Sequence, residues 1–481
     1  MYSVDLSEDC MKLNTMEVLS RQEIEAIIVA ARDVLENKGV QIGSLPVLEL
    51  LAASGLPVDR DEKMVRFPQE IQDKLLSGVP TFLEVVDRDG KTAFTIGDGK
   101  PHFASGHNAV NCYSYKDDAI HPFTTQDVRD FAAISHHLDE IEMIGLPSSP
   151  SDVDPDYSLL VALKTVMETS TKPIFFSTDS KLINHIAMDM ADTLYKRPKG
   201  AMKTYMISQL SPTSPLFWEE STVEALAECA RRKFPVAILP EPITGLTAPY
   251  SLAGLLTLNT IEALSGIYIV QALQPGSSVL WASSWTAFDM KRSAALVGSL
   301  ETSLCRIGGA QIAKALDLPA HTTAPNSDNH AHDEQNSWER TFSLICAAAA
   351  ANDLIVNCGM YACGMTISLE QLVMDAELVG QVKRLMQGIQ ADDYYIAKEQ
   401  IMHTDPRGTF VMDDHTLDLL YSDEHREPLI ASRNNYHMWK ESGSKDSLEY
   451  AHEIVEKLLQ LKVPQLSPEL VNKLDAIIKN S

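Results

Sequence analysis

Several polar and aromatic side chains stand directly after short apolar runs of this sequence. Their chemistry is aromatic, amide, imidazole and hydroxyl, with little positive charge. Glu241, which precedes Pro242, is the most informative, because a carboxylate at such a position is seldom needed for packing. A loop-capping role for His107 and a packing role for Trp285 are the plainer alternatives. The candidate site residues are His107, Gln209, Glu241, Trp285, Asn326, His330 and Tyr361.

The segment Asn329-His330-Ala331-His332-Asp333 offers a different chemistry. Two histidines one residue apart, with a nearby aspartate, are able to bind zinc or another divalent metal. His107 and His321 are the available third ligands. The alternative is that Asp333 and Glu334 are first-turn acids of the following helix, which favour its positive end.

The elements that must position these residues recur every 30 to 45 residues, which is about the length of one βα unit. Each apolar run is followed by a segment of helical pattern. Eight such units in a row predict a closed (β/α)8 barrel, whose active site lies at the carboxyl ends of the strands. An open doubly wound sheet is the alternative, but no GxGxxG motif follows the first strand. The predicted strands are His102–Ser105, Ile141–Pro147, Pro173–Ser177, Tyr205–Leu210, Val236–Pro240, Val279–Ala282, Pro319–Ala324 and Leu354–Cys358.

The helices predicted after these strands are Thr124–His137, Ser158–Thr169, Ser180–Leu194, Phe217–Arg231, Ser251–Ala272, Lys291–Ala315, Glu334–Ala351 and Leu369–Met386.

Two flanking regions lack this repeat. Residues 1–100 are predicted to form an extension, with a helix that a Ser20/Glu23 capping box opens and a hairpin around the turn at Asp89-Gly90. Residues 101–390 are the predicted barrel. Residues 391–481 are predicted to be a helical cap or oligomerisation element, and a homo-oligomer is one possibility.

Composition excludes several functional classes. The net charge is −26, from 40 basic and 66 acidic side chains, which argues against nucleic acid and anionic membranes as partners. The segment Met1 to Asn14 lacks the layout of a signal peptide. No run of about 18 uninterrupted apolar residues is present. The seven cysteines are odd in number and form no CxxC pair, which is typical of a cytoplasmic protein with reduced thiols.

A group of motifs in the barrel region resembles the trimethylamine:corrinoid methyltransferase family. They include Gly245-Leu246-Thr247-Ala248-Pro249, Gln271-Ala272-Leu273-Gln274-Pro275-Gly276, Ser327-Asp328 and Glu370-Gln371-Leu372-Val373-Met374-Asp375. The matches extend in order from about Thr124 to Glu377. The resemblance implies a (β/α)8 enzyme that moves a methyl group from an amine to the cobalt of a separate corrinoid protein. The cobalamin is then carried by the partner, and this chain is expected to hold no metal or cofactor of its own.

One difference from the founding members of the family narrows the range of substrates. Founding members carry pyrrolysine after the seventh strand, and this chain has only standard residues there, with the stretch His321 to His332 as the estimated position. It therefore resembles the non-pyrrolysine branch, which includes glycine betaine:corrinoid methyltransferases. A quaternary amine is already a good methyl donor and has no proton to lose, so positioning in line with one N–CH3 bond is the main requirement.

Under this resemblance the candidate residues take specific roles. Trp285 and Tyr361 provide aromatic faces for the cation, and Glu241 lies near it. His107, Gln209, Asn326 and His330 are polar anchors for a substrate carboxylate, and His330 and Glu241 position the substrate without acid–base catalysis. Glycine betaine is the first choice of substrate. Carnitine, proline betaine and γ-butyrobetaine share its quaternary ammonium head group and are the alternative substrates.

Two rival functions remain from the sequence alone. One is a metal-dependent hydrolase or lyase on the same barrel, built from His330, His332 and Asp333. The other is a non-catalytic betaine-binding protein. The identity of the amine and of the corrinoid partner is not encoded in any motif.

Overall fold

The computed structural model describes residue 13, residues 15–198 and residues 202–479. Most of the segment Met1 to Asn14, whose composition argued against a signal peptide, therefore lies outside the described residues, as does Cys10.

Residues 15–100 form small helices and strands that pack on the outside and at one end of the barrel. A capping box between Ser20 and Glu23 opens the first helix, as predicted. The elements are α1 (Arg21–Asn37), β1 (Val40–Ile42), α2 (Leu45–Ala53), β2 (Val58–Asp59), β3 (Met64–Val65), α3 (Gln69–Leu76), β4 (Leu83–Val86) and β5 (Thr92–Ile96).

The repeat follows. Its elements are β6 (His102–Ser105), β7 (Asn111–Ser114), β8 (Ala119–Pro122), α4 (Thr125–His137), β9 (Ile144–Gly145), α5 (Ser158–Thr169), β10 (Ile174–Ser177), α6 (Lys181–Leu194), β11 (Lys203–Thr204), β12 (Met206–Leu210), β13 (Phe217–Trp218), α7 (Glu220–Arg232), β14 (Val236–Ile238), α8 (Leu252–Leu273), β15 (Val279–Ser283), β16 (Ala287–Asp289), β17 (Ala294–Leu296), α9 (Leu300–Ala315), β18 (Ala320–Thr323), α10 (Glu334–Ala349), β19 (Leu354–Cys358), β20 (Met360–Tyr361), β21 (Thr366–Ser368) and α11 (Leu369–Gln387).

Eight of these strands form a parallel barrel, which confirms the predicted fold class. The strand order is β6-β19-β18-β15-β14-β12-β10-β9, and every ladder between neighbours is parallel. A bridge between Ala104 and Met143 connects β6 to β9 and closes the ring. Each of the eight predicted strands overlaps one barrel strand.

The N-terminal end of the barrel is closed by the predicted hairpin. Strands β4 and β5 pair antiparallel, and their inward side chains, such as Val85 and Phe94, share one apolar cluster with barrel residues such as Phe175 and Leu280. Because this cluster fills the barrel interior at one end, a ligand must enter from the other. The carboxyl ends of the strands are therefore the accessible end.

One predicted helix begins later than expected. The sequence pattern placed its start at Lys291, but α9 begins at Leu300 behind the N-cap Ser299. The residues before it form the antiparallel hairpin β16–β17, which is partly exposed and lies at the rim of the barrel. The prediction was wrong for these residues because an exposed hairpin of three-residue strands carries too little apolar periodicity to be recognised.

Helix α8 is the one helix of the described chain that is long and apolar enough to cross a membrane, but 83% of its apolar window is buried inside the protein. Its packing against neighbouring strands and helices makes it a core helix.

After α11 the described chain is helical and irregular, as predicted. The four short helices α12 (Asp393–Ile396), α13 (Lys398–His403), α14 (Asp414–Leu419) and α15 (Tyr436–Glu441) contain no buried residue. Two longer helices, α16 (Ser447–Leu458) and α17 (Pro468–Lys479), pack back onto the outer helices of the barrel.

Candidate active site

A cavity of about 1180 Å³ opens at the carboxyl ends of the barrel strands. Five of the seven residues selected from the sequence line it: His107, Gln209, Glu241, Trp285 and Asn326. They come from five different strand ends, so the barrel itself brings together residues that are up to 219 positions apart. The active-site prediction for this end of the barrel thus has a matching cavity.

The chain after β14 runs parallel to the chain after β15, in the register that places Glu241 opposite Ser284 and Pro242 opposite Trp285. The Ser284 amide donates to the Pro240 carbonyl at 3.2 Å, and the Thr286 amide donates to the Pro242 carbonyl at 3.1 Å. Glu241 and Trp285 both line the cavity, on neighbouring segments and one residue out of register.

Glu241 is an exposed residue that lines the cavity. Partial desolvation of its carboxyl group by the surrounding protein raises the pKa of Glu241 to about 7, and the negative charge of Asp179 adds to the shift. Asp179 also lines the cavity and follows β10, two strands away from β14. A bound cation would lower the pKa of Glu241 again, because a nearby positive charge stabilises the ionised carboxylate.

Trp285 is 3% exposed and held by tight packing. Its ring lies 5.9 Å from that of Trp281, and Gly309 of α9 provides the space for its six-membered ring. The indole lies in the apolar core between β15 and α9, and Trp285 is also one of the residues that line the cavity.

His107 and Gln209 form a second, uncharged part of the wall. Burial lowers the pKa of His107 to about 4, with the neighbouring Gln209 opposing the shift, so the imidazole is neutral at physiological pH. The Gln209 side chain donates to Ser177 Oγ at 3.1 Å. Nδ1 of His107 and Oε1 of Gln209 are buried without a protein partner among the described residues, which leaves them available to a ligand.

Asn357 belongs to the site and was missed by sequence reasoning. It lies on β19 at a register shift between Val356 and Cys358, with a φ of 135° that non-glycine residues rarely adopt. Its side chain donates to Asn326 Oδ1 at 3.0 Å, and both residues line the cavity. Strained backbone of this kind is concentrated at functional sites.

Arg306 of α9 is the second residue that was missed, and it corrects the expectation that the strand ends carry little positive charge. It is 2% exposed and lines the cavity. Its guanidinium donates to the carbonyls of Thr323 at 2.7 Å and Val297 at 3.0 Å, and to Ser303 Oγ at 3.3 Å. A signal exists in the sequence, since an arginine stands beside Ile307-Gly308-Gly309 in an otherwise largely apolar stretch.

The remaining two selected residues, His330 and Tyr361, are not among the described residues that line the cavity. His330 is exposed. The hydroxyl of Tyr361 donates to the His330 carbonyl, and the Tyr361 ring stacks on that of His332 with 4.4 Å between centroids. The two residues are thus joined to each other in the loops that follow β18 and β19.

The metal-ligand set proposed from His330, His332 and Asp333 is not assembled. Asp333 is the N-cap of α10, where its carboxylate accepts from the amides of Gln335 and Asn336. His321, the possible third ligand, is buried in the barrel with Nδ1 facing the Leu354 carbonyl. Across the described ranges, one group has ligand atoms within 4.8 Å of one another, and it lies elsewhere: Cys112, His121 and Asp127.

A second buried arginine, Arg340, is neutralised by an ion pair. Arg340 Nε donates to Asp375 Oδ1 at 2.7 Å, and its other nitrogens reach Asp375 Oδ2 and the Met360 carbonyl. Asp375 also accepts from the Gly359 amide at 2.6 Å. This aspartate, part of a motif quoted above, therefore fixes the loop after β19 rather than contacting a ligand.

The cavity wall carries charges of both signs and one thiol. Cys363 lines it, but burial raises the pKa of this thiol to about 11, so the reactive thiolate is scarce. Acids outnumber bases on the described wall: Asp179, Glu219, Glu220, Glu224 and Glu241 face Lys181 and Arg306. The arrangement favours a ligand with a positively charged part.

Comparison with known proteins identifies the family to which this chain belongs. The family profile described as "Trimethylamine methyltransferase (MTTB)" matches residues 6–481. The chain is 30% identical over 477 residues to trimethylamine methyltransferase MttB of Methanosarcina thermophila, with 96% of each chain covered. It is also 26% identical over 468 residues to glycine betaine methyltransferase of Desulfitobacterium hafniense strain Y51, again with 96% of each covered.

A solved structure supports the fold. The monomethylamine methyltransferase MtmB of Methanosarcina barkeri superimposes with a TM-score of 0.50 at 12% identity, covering 94% of this chain and 97% of that one.

Proposed function

Because this chain belongs to the trimethylamine methyltransferase (MTTB) family of corrinoid-dependent methyltransferases, we propose that it transfers a methyl group from a quaternary amine to the cobalt of a separate corrinoid protein and releases the tertiary amine. The observation that supports the choice of a quaternary amine is an acidic cavity wall that includes both Glu241 and Trp285. An aromatic face and a carboxylate together are suited to a permanent cation without an N–H group.

The residues of this chain bind and orient the donor. Trp285 has a ring that Gly309 and Trp281 keep in place, and Glu241 supplies negative charge at the end of the neighbouring strand. No proton is transferred, because the quaternary nitrogen carries none and the departing tertiary amine is neutral. Catalysis by this chain then consists of holding one N–CH3 bond in line with the acceptor. The partner's reduced corrinoid supplies the nucleophile and enters through the cavity mouth.

Glycine betaine is the proposed donor among quaternary amines. Two observations support it: a relative of this chain over nearly its whole length is named for that substrate, and the chain has only standard residues in the estimated pyrrolysine region. Carnitine, proline betaine and γ-butyrobetaine carry the same head group and are the alternatives. We expect the enzyme to be cytoplasmic, and the predicted homo-oligomer remains a prediction.

The experiment is a methyl-transfer assay with purified protein and a reduced corrinoid protein, followed by the absorbance change of the methylated corrinoid. The panel contains trimethylamine, glycine betaine, carnitine, proline betaine, γ-butyrobetaine and choline. Transfer from a quaternary amine with release of the tertiary amine is expected. Preference for trimethylamine over every quaternary amine would reject the proposal, and tight betaine binding without transfer to any corrinoid acceptor would favour a binding protein.

A further inference from the structure

Arg306 is a buried cation that forms no direct ion pair among the described residues, although the negative charge of Asp328 acts on it from farther away. All three groups that accept from its guanidinium are uncharged: two backbone carbonyls and the hydroxyl of Ser303. No carboxylate in the described part of the chain forms an ion pair with it, although Arg340, which is equally buried, is paired with Asp375. A third buried arginine, Arg88, donates to the carbonyls of Met167 and Ser170, also without a recorded ion pair. Of the three buried arginines of the described chain, Arg306 is the one that lines the cavity.

Burial of an ion without an opposite charge is unfavourable, and the interior of a protein seldom retains one unless a ligand completes it. A guanidinium has five N–H donors in a planar fork. In Arg306, three of these N–H groups donate to acceptors of the protein, and the others remain to bind a planar anion. A carboxylate is the anion that fits such a fork with two parallel hydrogen bonds.

The position of Arg306 relative to the acidic wall sets the shape of the ligand. Its Nε is bonded to the carbonyl of Thr323, the last residue of β18, whereas Glu241 follows β14. Strand β15, which leads to Trp285, lies between these two. Because neighbouring strands are about 4.8 Å apart, the two strand ends are separated by roughly 10 Å. Glu241 and Arg306 therefore lie on different parts of the cavity wall, with the strand end that carries Trp285 between them.

We propose that Arg306 forms a carboxylate subsite, and that the substrate is a zwitterion whose carboxylate binds Arg306 while its quaternary ammonium lies against Trp285 and Glu241. This inference rests on the proposed function and makes it more specific, since it selects betaines over cations such as choline. Lys181, the other cation of the wall, is a weaker choice, because it is exposed and forms an ion pair with Glu224 at 2.8 Å.

The test compares two ligands that share a quaternary head and differ in the carboxylate: glycine betaine and its methyl ester. Binding to the full-length protein is measured by calorimetry in the absence of any corrinoid. The wild type is expected to bind glycine betaine at least tenfold more tightly than the ester. Equal affinities would overturn the subsite without any variant being needed.

Arg306→Met is expected to weaken glycine betaine binding by roughly 10- to 100-fold and to change ester binding by less than about threefold. Arg306→Gln is made in parallel, because it keeps a donor for the Thr323 carbonyl if the apolar variant does not fold. Lys181→Met is the matched control, and it should keep the preference for betaine. Equal losses for both ligands in the Arg306 variants, or loss of the preference in Lys181→Met or His330→Ala, would overturn the assignment.

The two proposals fail in different assays. If both ligands and choline donate methyl groups equally and the Arg306 variants leave this unchanged, the carboxylate subsite is wrong and methyl transfer from quaternary amines stands. If betaine binds through Arg306 but no methyl transfer to a corrinoid occurs, the subsite stands and the proposed reaction is wrong.

Discussion

A β-carbon on Gly309 would lie 2.1 Å from Cη2 of Trp285, so the indole occupies space that only a glycine leaves free. Gly309→Ala is therefore expected to displace the indole ring of Trp285 from this position. We predict that binding of a quaternary amine weakens by about 0.5–2 kcal/mol, the range for a cation over an aromatic ring. Calorimetric titration with glycine betaine measures the change.

The adjacent glycine is the control for this substitution. A β-carbon on Gly308 would lie 3.0 Å from Cδ1 of Leu256, the flexible end of a side chain, so that alanine should be accommodated. Gly308→Ala should keep wild-type affinity, while Gly309→Ala should also lower the melting temperature through overpacking. Wild-type affinity and stability in Gly309→Ala would show that the packing around Trp285 accommodates the added methyl group, which would contradict the prediction.

The two aromatic residues selected as cation faces have different surroundings, and we predict different effects. Trp285→Leu should weaken binding of the quaternary amine by about 0.5–2 kcal/mol, because its ring lines the cavity. Tyr361→Phe removes only the hydroxyl bond to the His330 carbonyl, so affinity should change little. A large loss in Tyr361→Phe with little loss in Trp285→Leu would place the cation near β20 instead.

Affinity for the cation should depend on pH through Glu241. Its pKa is raised to about 7 in the free protein, so it is largely protonated below that pH, and a bound cation favours the charged form. Binding should therefore strengthen as pH rises through about 7 and then level off, by roughly tenfold for each unit by which the cation lowers this pKa. His107, whose pKa is lowered to about 4, stays neutral throughout.

Titrations in buffers of different ionisation enthalpy provide the measurement, since binding below pH 7 should release a proton. Glu241→Gln should remove both the proton release and the pH dependence. Asp179, Lys181 and Arg306 also face the cavity, and persistence of the pH dependence in Glu241→Gln would assign it to another group of this wall.

Removal of metals should leave methyl transfer intact. Asp333 caps α10, and the described ligand group of Cys112, His121 and Asp127 shares no residue with the cavity wall. We therefore predict full activity after dialysis of this protein against a strong chelator, before a corrinoid acceptor is added. A large loss that zinc restores would contradict this and support the metal-dependent alternative.

The barrel was predictable from the sequence because each strand is an apolar run followed by a helical segment. Glu241 and Trp285 were predictable for the same reason, since their position just after a strand places them on the rim. Arg306 was not, because whether a helix residue reaches the cavity depends on how α9 is rotated against β18. His330 and Tyr361 were assigned by the same strand-end rule, but the loops after β18 and β19 bond to each other and leave these residues outside the cavity wall.

The size of the cavity has a consequence for water. At about 1180 Å³ it exceeds the roughly 300–1,000 Å³ of pockets that enclose drug-sized ligands, and a betaine has only a handful of heavy atoms. Most of the space remains hydrated once the small donor has bound. The dry surroundings that strengthen electrostatic interactions during methyl transfer then arise only when a second macromolecule covers the opening. Substrate affinity measured on the isolated chain should consequently be lower than affinity in the assembled complex.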